Sequence, residues 1–161
     1  MTIRSLTARR ALAALTVCAL SGAAGADRTP ANLKTFKTVC VNAGFHEQDK
    51  ENEAIRSKLI GRIYDALDGA KIATAEAPCQ PKGLSSTGQL NLYFDFTTTT
   101  DGKTFDALLE GWLSKDGAYE SVTLWQDNIF GAMDAGSGAL EAADVLDELI
   151  DGFVKDWKTV H

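Results

Sequence analysis

Two histidines, a pair of late cysteines and a surplus of carboxylates are what this sequence offers for chemistry. His46 and His161 have no nucleophile placed beside them by any motif, and no G-x-S-x-G elbow presents a serine. Nucleophilic catalysis needs a Ser, Cys or Lys activated by a base, most commonly His, so a triad hydrolase is not expected. A G-x-x-x-x-G-K-[ST] loop is missing, and Gly131, Gly136 and Gly138 do not follow G-x-G-x-x-G, so the sequence carries no phosphate cradle. C-x-x-C-H haem attachment is excluded by the cysteine spacing. No cofactor and no metal are expected.

The carboxylates allow three arrangements. Asp144, Glu148 and Asp151 recur at spacings of four and three, one face of a helix, where they read as a solvated acidic face rather than a cation site. Asp127, Asn128, Asp134 and Ser137 supply oxygen ligands, but Ile129 occupies a ligand position of the calcium-loop pattern, and turn formation is the better reading. Asp95 and Glu110 lie on alternating segments that would place them on one sheet face, the requirement for a carboxylate hydrolase of glycosidase type. The more concrete feature is aromatic. Tyr93, Trp112, Tyr119 and Trp125 are expected to share one face of a sheet, as a second core layer or as a surface for an apolar ligand or partner.

Residues 1–26 read as a cleavable export signal: Arg4, Arg9 and Arg10 precede an apolar run from Ala11 to Leu20, and Ala24-Gly25-Ala26 forms an A-x-A cleavage site. The apolar run is too short to span a bilayer, so no transmembrane segment is expected in the mature chain. Arg9-Arg10 leaves the general and the twin-arginine routes both open. Removal of the signal takes Cys18 and three of the 16 basic residues, leaving 135 residues and a net charge of −9 from 13 Lys+Arg against 22 Asp+Glu. An acidic chain without a basic cluster argues against nucleic acid and anionic membrane, and favours solubility or a cationic partner. The remaining cysteines, Cys40 and Cys79, are an even pair in an exported chain and read as a disulfide. Periplasm or secretion is the implied address.

Residues 27–161 are long enough for one domain with one core. A first strand is expected from Leu33 to Val41, ended by Asn42-Ala43-Gly44. A helix follows, with Asp49 as N-cap, Gly69 after the last turn, and Ile55, Leu59, Ile60, Ile63, Tyr64 and Leu67 as its apolar face. Lys71 to Glu76 is predicted as a short strand stopped by Pro78. Three strands then read as a meander with turns at Asp101-Gly102 and Asp116-Gly117, the dipeptides suited to type I′ hairpins. Leu90, Leu92, Phe94 and Phe96 mark the core face of the first, and Asn91, Tyr93, Asp95 and Thr97 its other face. After a loop from Asp127 to Gly138, with Ser137 as N-cap, a last helix carries Leu146, Leu149, Ile150, Phe153 and Trp157 in a stripe. The predicted class is α+β: an antiparallel or mixed sheet of about five strands with two helices on one face, in the order β-α-β-β-β-β-α.

The tail, Thr123-Leu124-Trp125-Gln126, the Gly-rich loop, Leu140, Val145 to Asp151 and Phe153-Val154-Lys155-Asp156-Trp157, resembles a group of small exported bacterial proteins of unknown function. Their tails share a strand carrying Thr and Trp, a Gly-containing loop and an acidic-apolar helix ending in Phe-x-x-Asp-aromatic. Where they often have Asn between Phe and Asp, this chain has Lys155. The resemblance implies export and carries over no catalytic residue. The layout is also similar to small periplasmic accessory domains of envelope assembly and transport. The expected function is a non-enzymatic accessory or binding domain acting through the sheet face on an envelope or secreted protein or an apolar ligand. A carboxylate hydrolase and a secreted inhibitor of a cationic enzyme are the alternatives.

Overall fold

The computed structural model describes residues 28–75, 79, 88–115 and 119–161, with backbone alone at 114–115 and 119–121. After a 3-10 turn at Pro30–Leu33, strand β1 (Thr38–Glu47) runs well past the expected stop at Asn42-Ala43-Gly44. Gly44 does not end the strand because its missing side chain has a use: the Tyr93 hydroxyl and the Asp95 carboxylate lie where a Cβ would stand. Glycine inside a strand often marks such a close approach.

A turn through Gln48 and Asp49, both at positive φ, leads into β2 (Lys50–Glu51), antiparallel to the end of β1. Asp49 is therefore a turn residue and not the predicted cap. Asn52 caps helix α1 (Glu53–Gly69), its side-chain oxygen accepting from the amides of Ala54 and Ile55 at 3.2 Å. Asn and Asp cap equally well, and only the two-residue ribbon between them decides which is used. Leu59, Ile63 and Leu67 are the buried positions of α1.

The strand predicted at Lys71 to Glu76 is reduced to a parallel bridge, Val39 with Thr74, in which Val39 N donates to Ala73 O and Ala75 N to Val39 O. Glu76 and Pro78 fall outside the described residues. β3 (Gln89–Thr98) then lies parallel to β1, β4 (Thr104–Lys115) antiparallel to β3, and β5 (Tyr119–Ala132) antiparallel to β4. The sheet order is β2-β1-β3-β4-β5. With β1 and β2 taken as one ribbon and the Thr74 bridge counted, the chain follows β-α-β-β-β-β-α, an α+β fold with two helices and a mixed sheet whose five named strands include β2.

The β3–β4 loop is longer than a two-residue type I′ turn. Gly102 N donates to Thr99 O, Thr99 N to Thr104 O, and in that loop only Gly102 takes a positive φ. Asp101 instead uses its side chain, accepting from the Thr99 hydroxyl and from Lys103 N. Asp116-Gly117 lies outside the described residues, although β4 and β5 on either side of it pair as expected.

Helix α2 (Gly138–Val160) closes the core. Ser137 stands at its N-cap without capping by side chain; the Ser137 hydroxyl donates to Asp134 O, while Gly138 N donates to the Glu47 carboxylate at 3.0 Å. An acid at the positive end of a helix is favourable, and this one comes from the end of β1. Between sheet and helices, Phe45, Phe96 and Phe105 stack across three strands with centroids 5.6 and 5.4 Å apart.

Arg28 fastens the first described residues onto α2 and β5. Its guanidinium donates to Asp156 at 2.8 Å, to Gly152 O at 3.0 Å and to Asp127 at 3.3 Å, and lies over the Trp125 ring. Trp125 Nε1 donates to the same Asp156 carboxylate at 2.9 Å. Burial alone would raise the Asp156 carboxyl; the hydrogen bonds from Arg28 and Trp125 outweigh it and hold it below its ordinary value. A depressed carboxyl contributes stability above its unfolded value, near ~4, and that contribution is lost as pH falls through the lower folded value. Asp156→Asn keeps an acceptor for Trp125 and removes the charge facing Arg28. It is expected to cost about 1–2 kcal/mol in urea unfolding at pH 7, since Arg28 is part-exposed, with the gap to wild type closing below pH ~4. A gap that persisted at low pH would show that charge is not what Asp156 contributes.

Candidate functional site

Both helices bury their apolar faces on one side of the sheet, and the paired registers define what the other side carries. One row across β1, β3, β4 and β5 is Cys40, Asn91, Trp112 and Thr123. The next is Asn42, Tyr93, Glu110 and Gln126; the third is Gly44, Asp95, Leu108 and Asn128; the last is His46, Thr97, Asp106 and Phe130. Period-two alternation along each strand dictates these rows once the register is known.

Trp125 is not among them. A bulge in β5 makes Trp112 face Thr123 while Gly111 faces Trp125, so Leu124 is the extra residue and parity reverses after it. Trp125 therefore turns into the core, where it is 0% exposed and meets Phe153 edge-on at 5.2 Å. The expectation that it shares a surface with Tyr93 and Trp112 is wrong for this reason. Tyr119 begins β5, but its side chain lies outside the described residues. Tyr93 and Trp112 do share the open face, both half-buried.

Sequence reasoning missed Phe130. The segment from Asp127 to Ala132, read as the start of a Gly-rich loop, continues β5 in register with β4 as far as Thr104 opposite Ala132. Phe130 then stands on the open face at 68% exposure, and Asp127 is committed to Arg28 rather than to a calcium loop. Asp144, Glu148 and Asp151 are exposed on α2, and Asp147 between them pairs with Arg62 of α1 at 2.7 Å. Among the described residues no group of three or more His, Cys, Asp or Glu is placed to hold a metal.

Around Tyr93 the open face is polar and tightly bonded. The Tyr93 hydroxyl donates to Asp95 at 3.4 Å, and burial, then the Asp95 and Glu110 charges, push the phenol above its ordinary value. His46 sits between Glu51, 3.2 Å from its Nε2, and Asp95, 3.8 Å from its Nδ1. Asp95 faces Leu108 and Glu110 faces Tyr93, so the two carboxylates named for hydrolysis are diagonal neighbours on one face, and Glu110 accepts from the Thr123 hydroxyl at 3.1 Å. Asn42, Tyr93, Glu110, Trp112 and Thr123 line a shallow depression of about 360 Å³. Beside it, across the edge of β1, Arg56 donates to Ala43 O, to Asn42 and to Glu53, and a smaller hollow of about 140 Å³ opens between the helix start and Tyr93.

Cys40 and Cys79 are joined, with Cα atoms 5.4 Å apart. No helix among the described residues is long and apolar enough to cross a membrane.

No family model and no curated protein matches the chain. Among solved structures, a PelC dodecamer from Paraburkholderia phytofirmans is similar at 15% identity, over 76% of this chain and 89% of that chain, with a TM-score of 0.43. That likeness is too distant to speak to the site.

Proposed function

We propose that this chain is an exported, non-enzymatic binding domain that engages a protein partner through the open face of its sheet. One observation carries the reading: Tyr93, Leu108, Trp112 and Phe130 stand on a face that neither helix covers, with Asp95, Asp106 and Glu110 among them. Aromatic anchors amid polar and charged neighbours are the composition of a protein interface, in which a few such residues supply most of the affinity. The Cys40–Cys79 bridge, the signal-like first 26 residues and the tail's resemblance to small exported proteins support a periplasmic or secreted address.

A photo-crosslinking amino acid placed at Phe130 in the exporting cell tests the reading against one placed at Lys58, exposed on α1. A discrete crosslinked species is expected from Phe130 and not from Lys58. In that background Trp112→Ala should reduce the yield at least tenfold, as loss of an interface anchor does. Crosslinks from Lys58 alone, or a yield indifferent to Trp112→Ala, would overturn the assignment of the face.

A further inference from the structure

We infer that the depression between Tyr93 and Trp112 receives an arginine side chain of the partner, an inference that rests on the proposed role of this face. The first argument is charge. Among the residues whose side chains are described, the paired positions of the open face include Asp95, Asp106 and Glu110 and no Lys or Arg. Arg56, beside the depression, is engaged across the edge of β1 by Glu53, the Asn42 side chain and the Ala43 carbonyl. A carboxylate lining a recess with no Lys or Arg among its described lining is suited to a cation from elsewhere.

The second argument is ring placement. Tyr93 faces Glu110, and Trp112 lies two residues further along β4, so the two aromatics are diagonal cross-strand neighbours. Diagonal neighbours are within reach of aromatic side chains, and both of these border the same recess, so a flat group entering it meets an aromatic from each strand. A guanidinium is flat, stacks on aromatic faces and carries a fork of donors, whereas an ammonium is a compact, strongly hydrated point charge.

The third argument is the carboxylate itself. Glu110 stands directly opposite Tyr93 and two residues from Trp112 on the same strand, and the Thr123 hydroxyl donating to one of its oxygens limits its rotamers. Glu110 and Asn42 line the same recess. The depression opens broadly to solvent, so a side chain presented by a larger partner can enter it while the partner covers its rim.

The test is an NMR titration of the 15N-labelled protein with N-acetylarginine amide, N-acetyllysine amide and N-acetylleucine amide, following the Trp112 indole resonance identified by Trp112→Phe. Saturable shifts at Trp112 and around Tyr93 are expected with the arginine amide, at least fivefold weaker binding with the lysine amide, and a tenfold loss in Glu110→Gln. Equal affinity for the leucine amide, or no response to the arginine amide, would overturn the inference. The crosslinking assay separates the two levels. If Phe130 crosslinks depend on Trp112 but not on Glu110, the arginine inference fails and the face stands; if they depend on neither, the face itself is wrong.

Discussion

Trp125→Ala is expected to destabilise the fold by about 4 kcal/mol, while Trp112→Ala stays within about 1 kcal/mol and acts on binding instead. The two tryptophans lie on neighbouring strands, and the bulge at Leu124 alone sends them to opposite faces. Trp125 is fully buried against Phe153 and supplies one of the hydrogen bonds to Asp156, so its removal opens a cavity and weakens the seat of Arg28 together. Urea unfolding of the two variants reads the difference directly. Trp125→Phe separates the components in part, because it keeps an aromatic ring against Phe153 while deleting the N–H and the rest of the indole, for which about 2 kcal/mol is expected. Were Trp112→Ala the costlier change, Trp125 would belong to the open face and the bulge would be misplaced.

The same bulge shows where sequence reading reached its limit. β3 was legible because Leu90, Leu92, Phe94 and Phe96 keep one parity over four pairs and are all buried, while Tyr93, Asp95 and Thr97 on the other parity are not; Asn91 alone of that set is buried. In β5 the adjacent apolar residues Leu124 and Trp125 break alternation, and that break was the available sign of a parity change. Phe130 was lost for a related reason: Asp, Asn and Gly around it have turn character, yet pairing with β4 overrides local preference. The stop expected at Gly44 failed because glycine there serves Tyr93 and Asp95, partners about fifty positions away in sequence. Helix α2 was legible throughout, since a stripe sustained from Leu146 to Trp157 has one solution. Of the candidate face, Tyr93 and Trp112 followed from strand polarity, while the relation of Glu110 to both depends on the β3–β4 register, which no short-range signal sets.

Replacing both Cys40 and Cys79 by serine is expected to cost about 4 kcal/mol, the chain-entropy value for a loop of 39 residues of separation. That is a large share of a small domain's stability, and here it has a structural focus. The loop closed by the disulfide holds all of α1 and its return to β1, which among the described residues is otherwise paired to the sheet through the Val39–Thr74 bridge. Cys40 is itself fully buried at the head of the row that continues through Asn91 to Trp112, so loosening it also loosens one side of the depression. The double-serine variant and wild type in reductant should therefore unfold at the same, lower denaturant concentration, and bind the arginine amide more weakly than oxidised wild type. Equal stability with and without reductant would remove the bridge from the account of the fold. The thiol count tests the address independently. On the proposed export, Cys18 is removed with the signal, and the protein taken from the cell envelope or medium should present no reactive thiol; two or more reactive thiols would contradict both the bridge and the export on which the proposed function depends.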